Sequence, residues 1–177
     1  MAQIDDFKAE LAGGGFRPNQ FRVTITPPAG IAIGLDVRNT SFLCKSTEIP
    51  ELTLGEIELA YRGRKIMIAG DRDTTGDWTT TFYMDTDMQI INALQRWNNG
   101  INDFDTNLGV NSLADYATDL TAELLDRDDT VLKTYIFKNA WPKTISGLSL
   151  DSASESAIAE FTCTWKYQNY SLSGVNF

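Results

Sequence analysis

Asp77-Trp78-Thr79-Thr80-Thr81-Phe82-Tyr83-Met84 alternates as a strand, and the residues that follow, Gln89-Ile90-Ile91-Asn92-Ala93-Leu94-Gln95-Arg96-Trp97, repeat as a helix. In the first run Trp78, Thr80, Phe82 and Met84 share one face and Thr79, Thr81 and Tyr83 the other, a period of two in residue types that suit a half-buried pleated surface. In the second, Ile90, Ile91, Leu94 and Trp97 make one apolar stripe, so the helix should pack on a sheet. Thr86 and Gln89 have the spacing of a capping box, and Asn98-Asn99-Gly100 reads as the stop.

Working outward, Phe21, Val23 and Ile25 alternate with Arg22, Thr24 and Thr26, and Pro27-Pro28-Ala29-Gly30 ends that strand. Residues 31–40 read as a loop or weak strand, Ser41 to Lys45 as a strand. Leu52 and Leu54 share one parity, Ile57 and Leu59 the other, and the switch at Gly55-Glu56 calls for a bulge or tight turn. With a second turn at Arg62-Gly63, and Ile66 and Ile68 alternating with Lys65 and Met67, residues 51–69 read as a hairpin with apolar residues on both sides. If it projects, it needs a partner to cover it. Val131 to Phe137 reads as a central strand, Trp141-Pro142 as a turn, and Ile158 to Tyr167 as a last strand with Phe161, Cys163, Trp165 and Tyr167 inward. The expected core is Phe21, Trp78, Phe82, Ile91, Leu94, Trp97, Trp141, Phe161 and Trp165. The tally of short strands and one or two helices predicts a mainly β (α+β) fold, a β-sandwich or barrel with a flanking α-helix.

The 177 residues suit a single domain, 1–177, able to bury roughly 70% of its unfolded surface. Within it, 1–16 reads as an N-terminal arm interrupted by Gly13-Gly14-Gly15, 45–65 as the projecting hairpin, 101–130 as an acidic insertion or loop, and 170–177 as a C-terminal tail. In the acidic stretch Leu113, Tyr116, Leu120 and Leu124 have near-helical spacing, so either a second helix or a long loop fits. The opening residues lack the basic and apolar regions of a secretory signal and no apolar run approaches the ~20 residues of a span, so a cytosolically made chain with no membrane anchor is expected.

Chemistry is sparse. The chain has no histidine, which removes the commonest general base and metal ligand. Cys44 and Cys163 read as buried apolar residues in a compartment that disfavours disulfides. There is no phosphate-binding loop motif. Asp103, Asp105 and Asn107 have the first spacings of a calcium loop, but Leu108 and Ala114 stand where glycine and glutamate are required. Asp71, Asp73 and Asp77 are a carboxylate group close in sequence to Arg62, Arg64, Lys65 and Arg72, which could pair with them. No cofactor and no catalytic residue are expected. Lys and Arg number 15 against 24 Asp and Glu, a net charge of −9, the wrong sign for gripping nucleic acid.

Arg17-Pro18-Asn19 with Phe21, Phe42 with Cys44-Lys45-Ser46-Thr47 and Ile49-Pro50, Arg64-Lys65-Ile66 with Ala69-Gly70-Asp71-Arg72, Asp77-Trp78, the late Trp141-Pro142, and Leu148 to Asp151 occur in one order along most of the chain. In these the chain resembles the tail tube proteins of contractile-tailed bacteriophages, a family shared with phage-like contractile injection systems. The resemblance implies a virion protein whose hexameric rings stack into a tube inside a tail sheath, between baseplate or initiator and terminator proteins, with a tape-measure protein and then DNA in the lumen. It also implies that the hairpin region reaches an adjacent ring. Leu52, Leu54, Ile57, Leu59, Tyr61, Arg62, Arg64 and Lys65 are then the candidate inter-subunit residues, and Glu160 a candidate for an acidic lumen that DNA passes without sticking. Two rivals stand beside this reading: the tube of an injection system or bacteriocin, and a monomeric β-sandwich binding module.

Overall fold

The computed structural model describes residues 4–11, 14–74 and 76–175. Gly13 and Phe177 lie outside the described residues. The chain order is α1 (Ile4–Glu10), β1 (Phe21–Thr24), α2 (Val37–Leu43), β2 (Cys44–Glu48), β3 (Leu54–Tyr61), β4 (Arg64–Arg72), β5 (Gly76–Tyr83), α3 (Gln89–Ile101), α4 (Leu113–Tyr116), β6 (Thr118–Leu125), β7 (Val131–Ile145), β8 (Glu160–Tyr167) and β9 (Asn169–Gly174).

The organising element is β7, 15 residues long. Its first part lies between β6 and β9, and its end from Trp141 pairs with β8. The order β1-β6-β7-β8-β5-β2, with β9 also on β7, therefore makes two antiparallel layers that share one bent strand. At the bend Asn139 takes a positive φ of 51°. β8 and β9 follow the bend as one nearly continuous partner. Trp141 faces Lys166 before it and Lys138 faces Asn169 beyond it, with Gln168 donating its N–H to the Lys138 carbonyl at the joint.

Side chains from both layers and from α3 fill the space between. Trp78 of β5 stacks on Phe137 of β7 with centroids 4.3 Å apart, Phe82 on Phe161 at 5.5 Å, and Trp97 of α3 meets Trp165 edge-on at 5.5 Å. Trp78, Phe82, Ile91, Leu94, Trp97, Phe161 and Trp165 are buried, while Phe21 and Trp141 are half-buried at the margin. The buried indoles are matched: that of Trp165 donates to Thr80 Oγ1 at 2.8 Å, and that of Trp97 to the Tyr116 carbonyl at 2.7 Å. Cys163 is enclosed and Cys44 half-buried, its thiol pushed up to about 12 by burial.

Several sequence expectations need correction. Thr86 does not cap α3: Met88 occupies the cap position at φ 52°, and the Gln89 N–H is taken by Asp85 Oδ1 at 3.1 Å. The helix also runs through Asn98-Asn99-Gly100, because Gly100 makes room for Ile31, whose side chain would lie 2.7 Å from an added Cβ. Residues 37–43 are a helix, α2, whose first N–H groups at Arg38 and Asn39 are capped by Asp36 Oδ1. Leu113 and Tyr116 belong to the single turn α4, but Leu120 and Leu124 lie in strand β6, inserted between β1 and β7, so the acidic stretch 101–130 contains a central strand. Trp141-Pro142 is not a turn; the ladder of β7 tolerates the proline beside a register shift between Pro142 and Thr144. The C-terminal tail holds β9 on β7. Residues 45–48, assigned to the hairpin region, belong to β2 in the main sheet.

Candidate assembly surface

β3 and β4 form a separate two-stranded sheet. All of β3 is exposed, and all of β4 except half-buried Gly70. Arg62 and Gly63, both at positive φ (47° and 80°), make the tight turn that matches the twist of the strands. At the base the register slips: Gly70 and Asp71 of β4 stand opposite Gly55 alone, so a bulge is present but its extra residue is on β4 and not at Gly55-Glu56.

The hairpin has two unequal sides. Ile57 faces Ile68, Leu59 faces Ile66 and Tyr61 faces Arg64, so Ile57, Leu59, Tyr61, Ile66 and Ile68 share one side. Leu54, Glu56, Glu58, Ala60, Lys65, Met67 and Ala69 share the other, where Lys65 and Glu58 pair at 2.8 Å. Apolar residues do stand on both sides, but the Ile57–Ile68 side is almost wholly apolar while Leu54 and Met67 sit among charged neighbours on the other. Sequence reading left Ile66 and Ile68 off the candidate contacts although their alternation was visible. Leu52 lies before the strand and is 60% exposed. Arg62 lies over the Tyr61 ring at 5.3 Å, so the turn carries a cation–aromatic pair at its tip.

Several charged groups elsewhere are tied into local pairs. Asp77 does not meet Arg62, Arg64, Lys65 or Arg72; it is gripped by Lys143 at 2.8 Å and Lys166 at 3.1 Å, and the hydrogen bond from Lys143 is the main reason its carboxyl sits below the usual range. Glu160 pairs with Lys45 at 2.6 Å. Asp103 Oδ1 accepts from the Asp105 and Thr106 N–H groups and the Thr106 hydroxyl, an arrangement that uses the carboxylate to hold its own loop. Among the described residues there is no cluster of three or more metal-ligating side chains, and no helix is long and apolar enough to cross a membrane.

The described residues thus present an uncovered hairpin, and sheet edges on β1, β2 and β9 without a neighbouring strand. The model of the phage tail tube protein family matches residues 16–173. This chain belongs to the phage tail tube proteins. The tail tube protein is 31% identical over 169 residues to the tail tube protein of Serratia phage KSP90, covering 94% of this chain and 95% of that one. It is 30% identical over 163 residues to the tail tube protein gp19 of Enterobacteria phage T4, covering 91% and 94%. Among solved structures it shares its fold with a chain of the anti-feeding prophage tube-terminating cap (TM-score 0.64, 18% identity, 91% and 92% covered). A chain of the PVC extracellular contractile injection system sheath–tube complex is similar too (TM-score 0.62, 17% identity, 99% and 100% covered). A tail tube protein is a structural component of the virion tail.

Proposed function

We propose that copies of this chain join edge to edge into hexameric rings, and that the rings stack through the β3–β4 hairpin into the inner tube of a contractile tail. The observation that carries this is the hairpin's apolar side, which no residue of its own strands covers. A solitary two-stranded ribbon is marginal in water and gains stability when a partner removes that side from solvent. The open edges of β1, β2 and β9 supply the unpaired backbone groups that a ring would satisfy.

A tail sheath protein, a baseplate or initiator protein, a terminator protein and a tape-measure protein are the partners of this reading. The similar chains come from a sheath–tube complex and a tube-terminating cap, which supports the first of these and the terminator. DNA passes through the lumen without specific binding. The net charge of −9 favours that, since carboxylates at the wall repel phosphate over ~8 Å at physiological salt. Glu160, if in the wall, contributes less than a bare carboxylate because Lys45 shares its charge. The inner tube of an injection system has the same geometry, and the two share their assembly chemistry.

Negative-stain electron microscopy with light scattering tests the proposal. Hollow tubes of uniform width, formed alone or on isolated baseplates, are the expected result. A protein that stays monomeric at every concentration and is not drawn onto baseplates overturns it.

A further inference from the structure

A stacking hairpin needs a receptor on the next copy, and the body of the chain has one groove of matching character. It runs between the edge strands β1 and β2 and is lined by Phe16, Phe21, Phe42, Cys44, Ile49 and Leu124. Phe42 is 75% exposed and Phe16 50%, so an apolar wall faces solvent.

The placement is head to tail. The hairpin leaves the body beside Gly76, where β5 begins, because β4 ends at Arg72. Cys44 of the groove pairs with Phe82, near the other end of β5. The hairpin's base and the Phe42–Cys44 end of the groove are thus six residues apart along that strand, roughly 20 Å at ~3.4 Å per residue, while the Ile49 end of the groove lies nearer the hairpin. Such a pair of unlike surfaces lets copies stack without limit in one direction.

Charge points the same way. The hairpin tip is basic, with Arg62 and Arg64 beside the Lys65–Glu58 pair. At the groove's rim, two residues beyond Leu124, the exposed β6–β7 turn holds Asp126, Asp128 and Asp129. Of the other charges there, Arg22 pairs with Glu123, Lys45 with Glu160, and Arg38 lies over the Phe42 ring. Arg127 of the turn lies against Gly14 and leaves the turn with a net negative charge.

Resting on the tube reading above, we propose that the apolar side of the hairpin (Ile57, Leu59, Ile66, Ile68) seats in the β1–β2 groove of a copy in the adjacent ring. Arg62 and Arg64 then lie against the acidic β6–β7 turn of that copy.

Two variants of the full chain test it. In L59C/F42C/C44S, mild oxidation of assembled tubes links hairpin to groove. On a non-reducing gel the expected ladder extends past six chains, because links confined to one ring end there. In R62E/R64E the concentration needed for tube growth rises at least about tenfold, and adding D126K/D128K/D129K to the same chain restores it most of the way. Tubes that form normally in R62E/R64E, together with no ladder in the cysteine variant, overturn the groove while leaving the tube reading intact. A ladder that stops at six places the contact within a ring and also overturns it. A wild-type chain that forms no tubes even on baseplates overturns both.

Discussion

Thr80 shows how single residues hold this fold. It is fully buried, its hydroxyl accepts from the Trp165 indole at 2.8 Å, and it lies 3.4 Å from the Cys163 carbonyl. Replacing it with valine keeps the volume but strands a buried indole N–H. Thr80→Val should therefore lower the unfolding free energy of dilute protein by about 1–3 kcal/mol in urea melts, whereas Thr81→Val, half-buried on the opposite face, should change it little. Asp77 makes a pH-dependent contribution of smaller size. Lys143 and Lys166 depress its carboxyl, so its stabilisation is fully present above the ordinary carboxylate range near ~4 and is lost as pH falls through its lower folded value. The pairs are partly exposed, and solvent screening limits the effect. Asp77→Asn should cost up to about 1 kcal/mol at neutral pH, with the two melting curves converging in acid.

At the scale of elements the hairpin is the part to test. Ile57→Asp and Ile68→Asp put charge on its apolar side without touching the core, so far-UV circular dichroism and melting of dilute protein should match wild type while tube formation is lost. Gly55→Val acts through geometry. A Cβ there lies 2.9 Å from the Asp71 carbonyl, so the bulge of β4 opposite it must give way and the base of the hairpin changes its aim; assembly should weaken, again with an unchanged melt of the body. How much of these elements was legible in the sequence depended on pattern length. β5 and β8 carry eight alternating residues each, and the stripe of α3 from Ile90 to Trp97 spans about two turns, so their types were plain. The Arg62-Gly63 turn was visible in residue type, but the parity switch at Gly55-Glu56 misplaced the bulge, whose extra residue is on β4. β6 was not legible. Leu113, Tyr116, Leu120 and Leu124 mimic a helix only because one turn of helix runs directly into a strand, and the strand's own inward residue, Ala122, gives no apolar signal of strand type. β9 was hidden among small polar residues, where Tyr170 and Leu172 alone mark it, and the groove joins residues too far apart in sequence for any local pattern to pair them.

For the molecule as a whole, the sequence predicted sheets and a flanking helix, but not that one strand serves both layers. Proline at 142 argued for a chain break, and only the register shift beside it explains why β7 continues. The charge balance, in contrast, is a property no fold is needed to read. Near pH 4.4, the sequence isoelectric point, the mutual repulsion of chains vanishes. Light scattering across a pH series should show amorphous association there and ordered growth only well above it; ordered tubes of undiminished yield at the isoelectric point would contradict this. The shared strand has a mechanical consequence. Because β8 and β9 hold one register along β7 on both sides of its bend, a pull along that strand strains its cross-strand hydrogen bonds together, as shear, rather than unzipping them one after another. A tail that contracts drives its tube forward as a rod, and a subunit braced in this way transmits thrust without its two layers sliding past each other.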